Sequence, residues 1–337
     1  MSQTSTQPGA TMRIRIRGVR SLSENLNDPL IVLDGIPFSG SLSDISTDEI
    51  KSISILKDAS ATAIYGSRGA NGVILIQTYR GQQGQKPRIS YNSYYGLKKI
   101  FAYYPMMNGP EFAALRKAAG KYTNGTDEKD NINTNWQKLF FRPSASTMDH
   151  DLSVSGGTEH GGSYYVGLGY YQDQSLVPTQ QFNRYSLNAS FDQSIGKYVK
   201  VGITNNTNYH VSEGSQVGIY NILTMSPLAS PYNADGTFKQ SITMANDLNW
   251  NETRYIVDSI KDAWLNPIKT LGTYNSLYGE VNIPGVKGLK YRVNVGVNYS
   301  TTDNDSYTGT GMTSTNPITP SVATIIHQVS LDWTVEN

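Results

Sequence analysis

The 337-residue chain contains no cysteine, and this absence removes several kinds of site at once. Disulfide scaffolds, thiolate metal sites and cysteine nucleophiles are excluded. Histidine is scarce, and His150, His160, His210 and His327 have no metal-ligand spacing. No G-x-S-x-G nucleophile elbow is present either. The sequence therefore predicts no catalytic residue, no metal and no cofactor.

Long apolar segments and an excess of one charge are also missing. No apolar run reaches the roughly 18 residues of a transmembrane helix, and residues 1–18 lack the apolar core of a secretory signal. The formal net charge is only +1, which gives no reason to expect nucleic acid as a partner. The chain does contain 23 tyrosines and 31 glycines. This composition favours an aromatic-rich β protein over a helical enzyme.

Residues 1–80 have the pattern of a small mixed α/β unit. Alternation or a short apolar run predicts strands at 12–18, 30–33, 50–56 and 73–76. The first strand carries Arg13, Arg15 and Arg17 on one face. Three charges on one strand are more typical of a hydrated or ion-paired face than of a nucleic-acid patch. The sequence does not identify the partners of these arginines.

Turn signals and one short helix connect these strands. Asp34-Gly35 is a strong signal for a tight turn. Asp58 is placed as the N-cap of a helix over Ala59–Tyr65, with Gly66 as the residue that ends it. A glycine-rich turn, Gly69 to Gly72, then leads into the last strand.

Two segments carry weak signals for ligand binding. Gly66, Gly69 and Gly72 fit neither a dinucleotide fingerprint nor a P-loop, so backbone geometry explains them better than phosphate binding. Asp303-Asn304-Asp305 resembles the start of a calcium loop, but Tyr307 takes the fifth position and no glutamate closes the loop. Neither signal predicts a site.

After a polar linker at 81–87 the chain changes to long alternating strands. Strands of about ten residues, the length that a tilted strand needs to cross a bilayer, are predicted. They lie at 88–98, 149–156, 163–171, 184–192, 197–209, 274–283, 291–300 and 324–335. The clearest is 291–300, where we expect Val293, Val295 and Val297 to face lipid and Asn294 and Asn298 to face a lumen.

The connections between these strands alternate in length. Residues 99–147, 212–272 and 302–322 are long, whereas 158–162, 195–197 and 284–288 are tight turns and 174–180 is intermediate. Outer-membrane barrels have long external loops and short periplasmic turns. A soluble sandwich has no reason to sort its loops this way.

Several segments resemble the SusC/RagA-type TonB-dependent transporters. They are IRIRG at 14–18, DPLIVLDGIP at 28–37, DEIKSISILK at 48–57, DASATAIYGSRGANGVILI at 58–76 and the strands as far as FNRYSLNASFDQ at 182–193. The resemblance is dense over about residues 12–210. It assigns a structural plug motif to Asp34, Gly35, Asp58, Tyr65, Gly66, Arg68, Gly69, Asn71 and Gly72.

The resemblance implies the C-terminal part of a plug domain at 1–80, the linker at 81–87 and the first strands of an incomplete barrel at 88–337. It implies import of glycans or peptides across a Gram-negative outer membrane, with a SusD-like surface lipoprotein and the TonB complex as partners. Without signal peptide, TonB box and most of the barrel, the chain is expected to be a non-transporting fragment. A soluble, surface-exposed glycan-binding β protein is the alternative.

The tyrosine excess has two interpretations. Most tyrosines are expected in interfacial girdles or packing. Tyr103 and Tyr104 in the first long loop, with Trp250 and Trp264 in the second, are candidates for contact with substrate.

Overall fold

In the computed structural model, the described residues are 2–3, 7–10, 12–16, 18, 27–58, 63–121, 124–214, 219–237, 239, 242–245, 264–286, 288–309 and 320–336. They form a small sheet and a large sheet, preceded by a two-stranded ribbon of β1 (Ser2–Gln3) and β2 (Met12–Arg13). No helix of these ranges is long and apolar enough to cross a membrane.

The small sheet has the order β4-β3-β6-β5 and contains one parallel pair. Its strands are β3 (Leu30–Leu33), β4 (Ile36–Pro37), β5 (Ile50–Leu56) and β6 (Val73–Thr78). The β3–β4 hairpin turns at Asp34 and Gly35, with φ of 51° and 94°. Two successive positive φ angles are what a tight hairpin turn needs, so the predicted turn is confirmed. The apolar run of β6 is mostly buried, as a central strand requires.

Two predictions for this region are wrong in detail. The first strand ends at Arg13 and does not continue to residue 18. Arg15 forms an ion pair with Asp28 at 3.5 Å, while residue 17 lies outside the described part. The predicted helix is a 3₁₀ segment over Ala63–Gly69, interrupted at Gly66 by a φ of 57°, and residues 59–62 lie outside the described part.

All eight long strands of the large sheet are found where the alternation predicted them, and each pairs antiparallel with its neighbours. β7 has the predicted bounds, and the other seven are longer than expected because each extends beyond its alternating segment on one or both sides. The strands are β7 (Arg88–Lys98), β8 (Ala145–Gly157), β9 (Gly162–Gln174), β10 (Gln181–Ile195), β11 (Val199–Glu213), β13 (Ile268–Asn282), β14 (Lys290–Thr308) and β15 (Val322–Glu336).

A ninth, short strand, β12 (Trp264–Leu265), also pairs with β14. It precedes β13 on the same partner strand, separated from it by Asn266 and Pro267. Proline has no N–H for the ladder, which accounts for the interruption. Among the described strands β7 pairs with β8 alone and β15 with β14 alone, so the sheet is not closed.

The outward face of the large sheet carries continuous apolar rows. One row runs from β10 to β15 through directly opposed partners: Phe191, Ile203, Leu277, Val295 and Val335. A second row, in β7 to β10, joins Tyr91, Leu152, Leu168 and Leu187. Every member of the second row is an exposed apolar side chain. The alternation therefore separates two faces, as predicted.

The inward face is polar and lies against the small sheet. Buried residues on it include Asn188, Asp192, Thr204 and Asn208. On β14, the side-chain amide of Asn298 donates to the carbonyl of Pro37 at 3.1 Å. Asn298 therefore faces the small sheet, and Val297 faces the opposite way.

The two ends of the large sheet differ in their connections. The linker meets the short-turn end, where the Gln83 side chain donates to the carbonyl of Gly161 at 2.7 Å. At the other end, parts of the two longest connections fold together. The helices α1 (Gly109–Ala118), α2 (Trp136–Phe140) and α3 (Ile219–Leu223) lie in these connections. Trp136, Phe140, Ile222, Met225 and Met244 belong to their shared apolar core. Within the described part, the long connections thus form a folded layer at one end of the large sheet, and the tight turns lie at the other end.

Candidate functional site at the interface between the two sheets

Residues 36–49 of the small unit are seated on the inward face of the large sheet. The chain turns here through two 3₁₀ segments, Leu42–Asp44 and Thr47–Glu49. The first is stabilised by a capping box. The Ser41 hydroxyl accepts from the backbone N–H of Asp44, and the Asp44 carboxyl accepts from the backbone N–H of Ser41. This local geometry holds the segment in a fixed shape against the strands.

Arg184 of β10 is the main cation at this interface. Its guanidinium donates to the carbonyl oxygens of Ser43 at 2.9 Å and Ile45 at 3.3 Å, and to the hydroxyl of Ser46 at 3.4 Å. The side chain is 8% exposed and lies over the ring of Tyr171. Hydrogen bonds from a buried charged donor are stronger than neutral ones. Arg184 therefore fixes the segment 43–46 to the large sheet.

Asp44 makes a second polar contact with the large sheet. The hydroxyl of Tyr274 donates to its Oδ2 at 3.0 Å, and Nδ1 of His210 lies 3.4 Å from its Oδ1. Burial raises the pKa of the Asp44 carboxyl, although His210 and the hydrogen bonds oppose this shift. A carboxyl that lost these two partners while still buried would cost free energy, whereas water could replace both partners if the joint opened. The contact suits a joint that is stable yet separable.

Close packing accompanies these polar contacts. The rings of Phe38 and Tyr274 have centroids 4.3 Å apart. A Cβ added to Gly296 of β14 would lie 2.3 Å from Cγ2 of Ile36, and one added to Gly40 would lie 2.0 Å from the hydroxyl of Tyr274. Glycine at these two positions thus allows the two units to approach at van der Waals distance.

A further polar group joins the small sheet to the short-turn end of the large sheet. Asp34 accepts from the backbone N–H of Thr78 at 3.0 Å and from its hydroxyl at 2.7 Å. Arg80 lies 3.7 Å from Asp34 and 3.9 Å from Asp192 of β10. The hydroxyl of Tyr278 donates to the same Asp192. Arg80 therefore bridges carboxylates of both units.

The remaining motif residues have structural surroundings. Gly72 has a φ of 99° and packs against Ile16, and the Asn71 side chain donates to the carbonyl of Asp28 at 3.3 Å. Gly69 is buried and accepts from the N–H of Gly72 at 3.0 Å.

The other motif residues lie nearer the surface. Arg68 interacts electrostatically with Glu336 of β15. Asp58 is exposed and Tyr65 is half-buried.

The candidate ligand-contacting aromatic residues do not form one cluster in the described part. Tyr103 and Tyr104 are exposed in the first long connection, where the side-chain amide of Gln137 binds both backbone groups of Tyr104 at 2.8–2.9 Å. Trp250 lies outside the described residues, and only the backbone of Trp264, in β12, is described. A cleft of about 960 Å³ lies between the small sheet and β7–β10, with Ile53, Ile74, Tyr94, Asp149 and Phe182 among its lining residues.

Sequence reasoning missed the residues that join the two units. Arg184 and Asp44 have no motif around them, and Tyr274 is one of many tyrosines. One signal was available for Arg184, because a cation on the polar face of a predicted wall strand implies a partner inside. Among the described residues no cluster of His, Asp or Glu has the geometry of a metal site.

This architecture is similar to that of known TonB-dependent receptors. Residues 1–73 match the TonB-dependent Receptor Plug Domain. The chain is 31% identical over 304 residues to TonB-dependent receptor SusC of Bacteroides thetaiotaomicron, covering 85% of the chain and 30% of that protein. It is 35% identical over 249 residues to a TonB-dependent receptor of Formosa agariphila, covering 71% of the chain and 25% of the relative.

Solved structures agree with the sequence relatives. The RagAB peptide importer in its closed-closed state matches with a TM-score of 0.81 at 25% identity, over 99% of this chain and 41% of that one. The chain thus spans less than a third of the length of these two curated relatives. The plug match, the sequence relatives and the shared fold together show that the chain belongs to the SusC/RagA-type TonB-dependent transporters.

Proposed function

We propose that the intact protein imports nutrients across the outer membrane with energy from the TonB complex. In this proposal residues 1–80 are plug, 81–87 linker and 88–337 wall. The single observation that carries it is the plug–wall joint, in which Arg184, Tyr274 and Asn298 of the wall bind the plug segment 37–46. A channel blocked by a separately folded unit needs contacts that are specific but polar, since polar contacts can be exchanged for water when the plug moves.

The substrate and partners follow from the relatives. One relative is named SusC and a solved neighbour is a peptide importer, so we propose glycans or peptides as the substrate class. A SusD-like lipoprotein would cover the loop layer built around Trp136 and Met225. Tyr103 and Tyr104 are proposed to contact substrate there because their rings are exposed on the same layer. Trp250 and Trp264 are also proposed to contact substrate, because both belong to the second long loop.

A soluble glycan-binding protein is the other candidate. The apolar outward rows argue against it, because a soluble sheet exposes polar residues on its solvent face. Three tyrosines on neighbouring strands also favour a membrane barrel. Tyr170 and Tyr185 have ring centroids 5.0 Å apart, and those of Tyr185 and Tyr209 are 6.4 Å apart. Neighbouring aromatic residues across strands are typical of the interfacial girdle of a membrane barrel.

The decisive experiment is uptake by cells. Deleting the gene for the intact protein should abolish uptake of its nutrient, screened with labelled oligosaccharides and oligopeptides, and re-expression should restore it. Uptake should also stop when TonB is removed, although surface binding should remain. The 337-residue chain expressed alone should give no uptake, because eight strands close only around side chains and leave no room for a plug. Uptake that survives loss of TonB would contradict the proposal.

Sidedness can be tested by labelling whole cells. We expect a cysteine at the exposed Asp235, in the second long loop, to react with a membrane-impermeant maleimide. A cysteine at the exposed Lys197, in the tight turn after β10, should stay unreacted until the outer membrane is permeabilised. The chain has no native cysteine to interfere. Reaction at Lys197→Cys in sealed cells would reverse the proposed topology.

A further inference from the structure

Four carboxyl groups meet where the plug segment touches β8. Asp48 and Glu49 come from the plug, and Asp149 and Asp151 project from the inward face of the wall. Glu49 and Asp151 are each only 3% exposed. Neighbouring ionised carboxylates repel one another strongly when water is excluded. Their charge must therefore be compensated.

The neighbouring residues supply little compensation. Arg184 is the cation that faces the group, but its described hydrogen bonds go to Ser43, Ile45 and Ser46. Ser186 and Asn188 of β10 hydrogen-bond Glu49, and Tyr165 of β9 is the other titratable neighbour. Within the described part of the chain, no donor reaches Oε1 of Glu49 or Oδ2 of Asp151. One shared cation and two neutral donors leave an excess of negative charge.

Protons are the remaining source of compensation. The described residues hold no cluster able to bind a metal ion. Asp48 and Asp149 are neighbours across the same contact, so their charges also repel each other. Burial, with a smaller contribution from Asp151, raises the pKa of Glu49 to about 7. The joint is thus assembled with a proton on Glu49.

We propose that Glu49, packed with Asp48 against Asp149 and Asp151, makes the seating of the plug on the wall proton-dependent. The seated plug holds Glu49 neutral. Ionisation of Glu49 adds a buried negative charge beside Asp149 and Asp151 and loosens the segment 42–50. The inference concerns regulation of the plug–wall joint and depends on the proposed function only for its role in import.

The direction of the pH effect follows from linkage. The ordinary pKa of a glutamate in water is 4.5, and in the seated plug that of Glu49 is about 7. The seated state therefore binds the proton more tightly, and its extra stability is complete below about pH 4.5 and lost as pH rises through about 7. One proton gives up to about a tenfold change per pH unit within this window.

Hydrogen exchange of the complete purified transporter tests the inference. Exchange of the peptide covering residues 42–50 is measured between pH 5.5 and 8 and corrected for the intrinsic chemical rate. We expect protection in the native protein to fall by up to about tenfold per unit as pH rises towards 7. In Glu49→Gln, which keeps the shape but has no proton to lose at this position, the pH slope of protection should be clearly smaller than in the native protein. Glu159→Gln, in an exposed turn, should behave like the native protein.

The outcomes separate the alternatives. A pH-independent native protein, or an equal pH slope in Glu49→Gln, would overturn the inference. Protection of β6 in the same samples reports whether each variant is folded, and a variant that fails this check is replaced by Asp151→Asn, expected to flatten the slope partly. The exchange measurement needs no transport. A pH slope in a protein without uptake would therefore leave this inference standing and remove the proposed function.

Discussion

A disulfide between cysteines placed at Ile36 and Gly296 is expected to abolish uptake by the intact transporter. Gly296 of the wall faces Ile36 of the plug, and a Cβ built on Gly296 lies 3.4 Å from Cβ of Ile36. This separation is close to the Cβ–Cβ distance of about 3.8 Å found in disulfides. Replacing Ile36 also removes Cγ2, the atom that a new side chain at Gly296 would meet first. The pair should therefore form without moving the backbone.

The tether blocks plug movement rather than substrate binding. Uptake of the nutrient identified by the cell experiment should fall to background under oxidising conditions and recover after reduction. Surface binding should be unchanged by either treatment. A matched control joins two wall residues, Thr207 and Thr273, whose hydroxyls are 2.9 Å apart on neighbouring strands. That tether should have no effect, and full uptake with the Ile36–Gly296 disulfide formed would show that the plug need not leave this part of the wall.

Val295→Arg is expected to destabilise the intact barrel by about 2–4 kcal/mol. Val295 lies in the outward apolar row between Leu277 and Val335, its directly opposed partners. An arginine there would be placed in the hydrocarbon of the bilayer, where its charge cannot be hydrated. The fraction folded into lipid vesicles, followed by heat-modifiable mobility across a urea series, measures the cost.

The neighbouring residue provides the control. Asn294 is directly opposed to Tyr278, whose buried side chain hydrogen-bonds Asp192 on the inward face. Asn294→Arg should cost much less than Val295→Arg, because inward positions of a large barrel are hydrated or paired with polar groups. Equal penalties at the two positions would contradict the assignment of faces.

Local chemistry in the sequence was enough to predict the strands and their faces. Alternation with a period of two follows from strand geometry alone, so the patterns at 291–300 and 184–192 identified both strands, and the first also identified its inward side. Asp34-Gly35 identified its turn because few residue pairs accept two positive φ angles. The first strand, predicted to reach residue 18, failed for the opposite reason. A pattern of five alternating residues has no preference strong enough to extend pairing beyond Arg13.

The sequence by itself determined the fold class, the order of the wall strands and the family, because each depends on neighbours in the chain or on contiguous motifs. Only the tertiary structure decided how plug and wall meet. Arg184 contacts Ser43 across 141 positions, and Tyr274 contacts Asp44 across 230. No local preference encodes such pairs, since on an isolated strand either side chain would be hydrated equally well without its partner. Burial against one another, which raises the pKa of Glu49 and leaves Arg184 with fixed partners, arises only when the two units pack.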